Sequence, residues 1–521
     1  MAKVLLFGDE ARQALAQGMQ ALASAVRVTL GPRGKTILLE QSSGLPLATS
    51  DGVTIAREVT LSSVFENVGV KLLQEVAERT NEATGDGTTT AIVLAQKMVE
   101  EGMKALLSLH NPVWIRRGME KALGIVLEKL KEWSVPLDDE RYIFEVASIA
   151  ARDGFLGELI ASALQKVGRE GIITLEESKT TETTLEVVEG IEFERGFLSP
   201  YFVTDLERNE AILENPFILI SDYKVYNASV LLPLLERILQ TGRPLLLIVD
   251  ELGGEALAFL VVNKLRGAIQ VAAVKAPEFG ERQKEVLGDI AVLSGGQVIL
   301  QDLGMKLEKV PLELLGEAER VRITEKKTTI VGSKGKQKDI EERIWQIRTR
   351  IESSTTAYER EWYERRLASV LRKAAIIRVG APTEVELKEK KQHLEDALGA
   401  VRAALEEGVV PGGGTVFLRI AEELRGVTVS GNERVGFDIV RRALEEPVRQ
   451  IAANAGYQGP LVAEKVKECE RNVGFDALQG TFVDMFKAGI VDPAKVLRVA
   501  LQNATSVASL VLTTETIIVE A

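Results

Sequence analysis

The stretch "NEATGDGTTTAIVLAQ", residues 81–96, sets Asp86, Gly87 and three threonines directly ahead of an apolar run. Ile92, Ala95 and Val99 fall at i, i+3 and i+7, so the spacing predicts a helix whose N-terminus carries the threonines. Threonine is only an average helix former, because its branched β-carbon restricts χ1. One residue suffices to cap a helix, so four polar ones need another explanation. A helix N-terminus offers free N–H groups and a positive dipole end, both of which favour an anion such as phosphate. Gly85 and Gly87 let backbone approach a ligand closely, and Asp86 adds a hard oxygen suited to a Mg²⁺ that travels with phosphate. The competing reading of this segment alone is an over-capped helix.

With 521 residues the chain is too long for one core, and two or three domains are expected. No uninterrupted apolar run approaches the roughly 18 residues of a membrane span. The start, "MAKVLLFGDEARQAL", does not read as a signal peptide, because charge returns at Asp9 and no small-residue cleavage site follows. The single cysteine, Cys469, excludes an intrachain disulfide and fits a reducing, cytoplasmic setting. A net charge of −12 without a dominant basic stretch argues against nucleic acid as the main partner. Two histidines, His110 and His393, argue against a His-rich metal site or a Ser-His-Asp triad.

Residues 10–30 and 64–132 read as long helices. Asn111-Pro112 is a helix start, and Ile115, Met119, Leu123, Val126 and Leu130 follow it as one apolar stripe. After Pro136 the texture changes. Short β-rich runs ("GIITLEE", "FILISD", "PLLLIVD", "IQVAAVKA", "GQVIL") alternate with helical ones through residue 300, and Leu245–Val249 reads as a buried strand. Residues 336–373 are densely charged and predict a solvated helical hairpin. Helical texture returns from about 384 to the end. The pattern is that of a helical domain with an α/β domain inserted into it.

Several stretches could line a ligand. "VTLGPRG" (28–34) turns at Gly31-Pro32, "SDGVTI" places Asp51 at a turn, and "VVPGGGT" (409–415) sets three glycines between helical stretches. Each alone also reads as a plain turn. In "KKQHLEDALGAVRAALEEG", Leu394, Leu398, Val401 and Leu405 define a buried stripe. Asp396 lies about 200° around the helix from Leu398, so it points away from that stripe, as a solvated carboxylate would too. No G-x-x-x-x-G-K-[ST] motif occurs, which excludes a P-loop NTPase. "GEALAFLVVNKL" is apolar around its whole circumference from Ala256 to Val262, and "VLLPLL" (230–235) shares the property. A surface helix should be apolar on one stripe only, so either both helices are buried or one face is offered to an apolar partner.

"VTLGPRG", "DGVTIARE", "GDGTTTA", "RGFLSPYF", "VAAVKAP", "EVELKEKK", "EDAL", "EEGVVPGGG" and "IVDPAKV" occur in the order and at the spacing of group I chaperonins, the GroEL type, and the resemblance covers essentially the whole chain. It implies an α+β multidomain protein: a mainly helical equatorial ATPase domain (1–132 and 407–521), a small intermediate hinge domain (133–188 and 375–406) and an inserted α/β apical domain (189–374). It further implies ATP and Mg²⁺ as cofactors, with K⁺ as an additional candidate, and a homo-oligomer of two stacked seven-membered rings. The implied partners are unfolded client proteins and a small co-chaperonin of GroES type, with neither membrane nor nucleic acid. By motif, Thr29, Leu30, Gly31 and Pro32 would line the nucleotide, Asp86 would hold Mg²⁺, and Gly87, Thr88, Thr89 and Thr90 would meet the phosphates. Ser50, just before the Asp-Gly, and Gly413, Asp476, Ala477, Leu478 and Asp492 would contact the nucleotide; Asp51 and Asp396 would position and activate the attacking water. Clients and the co-chaperonin would meet Phe197, Tyr201, Phe202, Leu232, Leu235, Leu257, Val261 and Val262.

The chain also departs from that family. Asp476-Ala477-Leu478 stands for Asn-Ala-Ala, which puts adenine recognition in question because a carboxylate cannot donate as an amide does. Ser50 replaces a lysine, Ala150-Ala151-Arg152 replaces Ser-Ala-Asn, Arg372-Lys373 replaces Gly-Gly, and Glu278 replaces glycine. The sequence ends in "TTETIIVEA" rather than a Gly-Gly-Met-rich tail. An ATP-driven folding chaperonin is therefore expected. The alternatives are a divergent paralogue that holds unfolded chains with a weak or altered ATPase cycle, and an ATPase acting on an unrelated small molecule.

Overall fold

The computed structural model describes residues 2–40, 46–137, 140–169, 171–178, 180–206, 208–354, 356–371, 373–429 and 431–520. The fold is α+β and divides into two compact units. Arg372 lies outside the described residues.

The first unit comprises Met1–Ser162, Glu177–Thr183 and Val379–Ala521. Its two chain ends pair directly, Lys3–Phe7 running antiparallel to Thr516–Glu520. Helices Gly8–Val26, Val64–Thr84, Thr88–Leu107 and Pro112–Trp133 come from the first half of the sequence. The last starts as the sequence predicts, with Asn111 Oδ1 accepting from Val113 N at 2.8 Å and Pro112 in the first turn. Ile115, Met119, Val126 and Leu130 are buried, and Leu123 packs against the same core. The Ala494–Thr513 helix from the other end packs against the three helices that span 64–133. By length and composition it could cross a membrane, but 61% of that window is buried, as befits a central core helix. One apolar cluster thus joins residues from both ends of the chain.

The second unit comprises Ala163–Glu176 and Thr184–Arg378. Phe217–Ile220, Leu245–Val249 and Val271–Lys275 form a parallel sheet with Leu245–Val249 at its centre, and Gly316–Glu317 adds an antiparallel edge. The continuous apolar runs arise because Leu245–Val249 is buried on both faces. A six-stranded sheet runs in the order Ile172–Glu177, Lys373–Val379, Thr184–Phe193, Thr328–Val331, Arg320–Ile323, Ala211–Glu214. "GQVIL" contributes an isolated bridge, Ile299 to Ser221, rather than a full strand.

Two expectations are corrected here. The charged hairpin, Gln337–Ser353 and Ala357–Val370, is not wholly solvated. Ile340, Ile347, Trp362 and Tyr363 join the core, and Asp289 is buried between Arg343 Nε (2.6 Å) and Arg366 Nε (2.8 Å). The Leu232–Thr241 helix buries Leu234, Leu235 and Ile238 against the sheet, so Leu235 is a core residue at 4% exposure rather than a contact surface. Glu278, where the resemblance expects glycine, has φ +61°. A side chain there carries the left-handed penalty that glycine avoids.

Leu235→Ala should lower stability by about 2–5 kcal/mol, the usual range for a truncated core leucine. Glu278→Gly should instead be neutral or stabilising by up to about 1 kcal/mol, because it relieves the left-handed strain. Thermal denaturation of the two variants checks both signs.

Candidate functional site

The Val64–Thr84 helix ends on Gly85 (φ +67°), and the Thr88–Leu107 helix starts after Gly87 (φ +83°). Two left-handed glycines around Asp86 therefore reverse the chain between two long helices. No side chain caps the second helix, and among the described residues no hydrogen bond is made by the backbone N–H of Thr88, Thr89 or Thr90. The three orphan donors of the first turn point at whatever lies beyond the helix end.

Other segments close around this end. A Cβ on Gly52 would lie 2.6 Å from Thr89 Oγ1 and 2.7 Å from Thr88 Oγ1, so only glycine lets the Asp51 turn sit against the threonines. Asp51 caps the short helix that follows, accepting from Val53 N (3.3 Å), Thr54 N (2.9 Å) and Thr54 Oγ1 (2.6 Å). Its two oxygens can accept about four bonds, so one remains for a ligand or water. Ser50 is half-buried just before it. Thr29 Oγ1 donates to Val26 O and stands 3.3 Å from Thr89 Oγ1. The following Leu30-Gly31-Pro32 turn is held by Asn454 Nδ2, which donates to Arg27 O and Leu30 O, each at 2.9 Å. Arg33 Nη2 then reaches Leu478 O at 2.7 Å.

The Glu384–Glu407 helix brings in Asp396. Gly399 packs on the glycine loop: a Cβ there would lie 2.8 Å from both Gly85 Cα and Thr84 O. Asp396, less than one turn earlier, accepts from Gln392 Nε2 at 2.8 Å and is otherwise set among negative charges. Burial, and then the charges of Asp51 and Asp86, hold its carboxyl well above the usual carboxylate range. Burial raises Asp86 as well, opposed by the Gly87 N–H at 2.6 Å and by the Arg152 guanidinium. Asp492 sits across an antiparallel pair from Val410 and accepts from the N–H groups of Gly413 and Gly414, whose φ angles are +62° and +75°. Burial and the Asp86 charge push Asp492 up to about 7.

Asp476 Oδ1 accepts from Leu478 N (2.8 Å) and Gln479 N (3.1 Å), a local turn through which Ala477 passes. An asparagine oxygen would make the same turn, so the departure changes only the second side-chain atom. Thr29 to Pro32, Asp51, Asp86 to Thr90, Asp396, Gly413, Asp476 to Leu478 and Asp492 thus form one connected neighbourhood within the first unit. Sequence reasoning missed Asn454, Gly52 and Gly399. The two glycines carry a readable signal, since each lies beside or within one turn of a candidate aspartate.

The donor set fits a magnesium-bound nucleotide: orphan N–H groups for phosphate and an under-compensated carboxylate for a cation. Among the described residues no three His, Cys, Asp or Glu side chains could hold a metal by themselves, so phosphate oxygens would have to complete the coordination.

A model of the TCP-1/cpn60 chaperonin family matches residues 22–521. The chain belongs to that family. Chaperonins of this family are in general ATPases that form rings and bind client proteins.

In this chaperonin the expected client residues lie in the second unit and divide by exposure. Tyr201, Leu232 and Val262 are exposed, while Phe197, Leu257 and Val261 are half-buried. Phe202 is fully buried beneath the Gly254–Leu265 helix, so it, like Leu235, is corrected from contact residue to core residue. On that helix Ala256 and Leu260 face inward, and Ala258 and Val262 face out. The sequence missed Tyr226, Leu239 and Leu265, all of which are exposed.

The raised Asp492 carboxyl gives a pH prediction. A folded pKa of about 7 against an ordinary 3.8 means that its contribution to stability is intact below the ordinary value and is lost as pH rises through 7. Without nucleotide, melting temperature should fall as pH rises from about 4 to about 8, and Asp492→Asn should flatten that slope. A slope unchanged in the variant would show that Asp492 is not the titrating group.

Proposed function

We propose that this chaperonin is an ATP-hydrolysing protein-folding machine of the group I, GroEL type. The observation that carries the reading is the joining of three uncapped N–H groups at Thr88–Thr90 with Asp86 and, through the Gly85–Gly399 contact, with Asp396. Thr29, Leu30, Gly31, Pro32, Gly413, Asp476, Ala477, Leu478 and Asp492 would flank the nucleotide. Asp86 would hold Mg²⁺, which supplies charge neutralisation for the phosphates when bound; K⁺ is a further candidate. Thr88, Thr89 and Thr90 present N–H and hydroxyl donors to phosphate oxygens. Asp51 orients a water through its remaining lone pair, and Asp396 accepts the proton that the water gives up during attack. The high proton affinity of Asp396 suits a base only after it has lost its own proton.

The five-segment division into equatorial, intermediate and apical domains belongs to this reading, with Asp396 on the intermediate segment 375–406. Closure of a hinge would then gate hydrolysis. The exposed apolar residues Tyr201, Leu232 and Val262, with Phe197, Leu257 and Val261, would take up apolar client segments and a GroES-type co-chaperonin, in a cytoplasmic double ring of seven-membered rings. The departures at Ser50 and Asp476 favour a second reading, a holdase with an altered ATPase cycle. Turnover of Mg-ATP that rises on addition of a denatured protein supports the first reading; client capture without turnover supports the second.

Asp396→Ala should leave Mg-ATP binding largely intact while slowing hydrolysis on the order of 10²–10⁴-fold. In the parent protein kcat should rise with pH as Asp396 deprotonates, and this limb should vanish in Asp396→Asn. Asp86→Ala should instead weaken Mg-dependent nucleotide binding, read by calorimetric titration. For the client surface, Val262→Ser should reduce capture of a denatured protein at unchanged melting temperature and basal turnover. A large loss of thermal stability would place Val262 in the core.

A further inference from the structure

The Glu140–Ala151 helix ends in a turn that no proposed step has yet used. Arg152 has φ +53°, a left-handed conformation that a non-glycine residue adopts at a cost, and its N–H closes the turn on Ile149 O at 3.2 Å. Asp153 begins the next helix at once, its Oδ1 accepting from Phe155 N at 2.7 Å. The reversal sends the Arg152 side chain to the nucleotide loop, where Nη2 donates to Thr29 O at 3.3 Å. Thr29 is the residue whose hydroxyl meets Thr89 at the helix end, so the guanidinium stands at the edge of the phosphate cradle. Its charge also acts on Asp86 and on His393, one helical turn before Asp396. On Asp86 the strongest charge is the Arg152 guanidinium, ahead of Asp51, whereas the charges acting on Asp396 and Asp492 are other carboxylates. The residue remains exposed, and a guanidinium carries five N–H donors, so the Thr29 bond leaves others for a ligand.

We propose that Arg152 is a phosphate-binding residue of this chain, its guanidinium steadied on the Thr29 carbonyl and its free donors turned to the phosphate chain of the bound nucleotide. The inference rests on reading the cradle as an ATP site. A planar guanidinium suits two phosphate oxygens at once, whereas the helix end and Asp86 supply only backbone donors, hydroxyls and a negative charge. The Glu140–Ala151 helix packs on the Glu384–Glu407 helix that carries Asp396, so a phosphate held by Arg152 also tethers the helix against which Asp396 is placed.

The test compares Mg-ATP and Mg-ADP dissociation constants, by calorimetry, for the parent protein, Arg152→Ala and Arg152→Lys. Arg152→Ala should bind Mg-ATP about tenfold or more weakly, as expected for loss of charge-assisted bonds. Its affinity should fall less steeply with added salt than that of the parent. Arg152→Lys should recover part of the loss, and free guanidinium at non-denaturing concentration should restore part of the binding of Arg152→Ala. Parent-like affinity in Arg152→Ala would overturn the proposal. So would equal losses in both variants, insensitive to guanidinium and accompanied by a lower melting temperature, since that would show a turn residue only. A parent protein that binds no Mg-nucleotide would overturn the ATP-site reading itself, a result distinguishable from the others before any variant is made.

Discussion

The candidate site depends on two backbones touching where neither residue has a side chain. Gly85 and Gly399 approach so closely that a Cβ on either would lie within 3.0 Å of the other's Cα. Gly85 is also the left-handed stop of one long helix, and that stop sets the direction of the Asp86 loop and the start of the next helix. The Gly-Gly contact lets a third helix, Glu384–Glu407, cross the loop at the distance of bare backbone. Asp396 arrives beside Asp86 for that reason, not because its own side chain finds a partner there. A methyl group at either glycine would move the third helix as a unit, since interiors packed at this density have no slack to absorb the shift.

That geometry creates an electrostatic problem. Asp51, Asp86, Asp396 and Asp492 come from four separate stretches of sequence and are drawn into one neighbourhood. Burial raises the cost of each charge and the neighbouring carboxylates add to it, which is why Asp396 and Asp492 hold protons more tightly than exposed aspartates do. The backbone N–H groups of Gly87 on Asp86 and of Gly413 and Gly414 on Asp492 offset part of the negative charge, and Arg152 adds to this at Asp86. A phosphate alone would add to the repulsion, and a metal alone would find too few ligands. A metal-phosphate pair would satisfy both halves of the site, as the proposed ATP reading requires.

Much of this was legible in the sequence, for identifiable reasons. The Thr run at a helix start and the Asn111-Pro112 cap are local signals, set by capping and helical period, and the structure keeps them. That Asp396 lies off the stripe of its helix's leucines followed from their period. Phe202 was carried over from the resemblance alone, and Leu235 was misjudged for a different reason. An all-apolar stretch has no polar face to mark which side is out, although Leu231, Leu234, Leu235 and Ile238 do sit at i, i+3, i+4 and i+7, all buried, with Leu232 and Leu239 left outside. The period was readable there, but the run "VLLPLL" was too short to reveal it without Ile238. The burial of Asp289 between two arginines could not be read at all, because pairing across separate helices leaves no trace in linear spacing.

The exposed apolar residues of the second unit pose a question opposite to that of the aspartates. Val262, Leu265, Leu232 and Leu239 give up the roughly 25 cal/mol per Å² that burial would return, although their helices already have well-filled inner faces in Ala256, Leu260, Leu234 and Ile238. Stability therefore does not require these side chains to be apolar, since serine or lysine at the same outward positions would leave the inner packing untouched. A surface that is apolar at outward positions of two helices, with few directional groups, binds through area rather than through a pattern of hydrogen bonds. Such binding is weak per contact and indifferent to sequence. In a family that assembles rings, repetition of the same patch around a ring would supply the strength that each patch lacks. Breadth of recognition and modest affinity would then share one physical cause: apolar area at Leu232, Leu239, Ala258 and Val262 discriminates little between ligands.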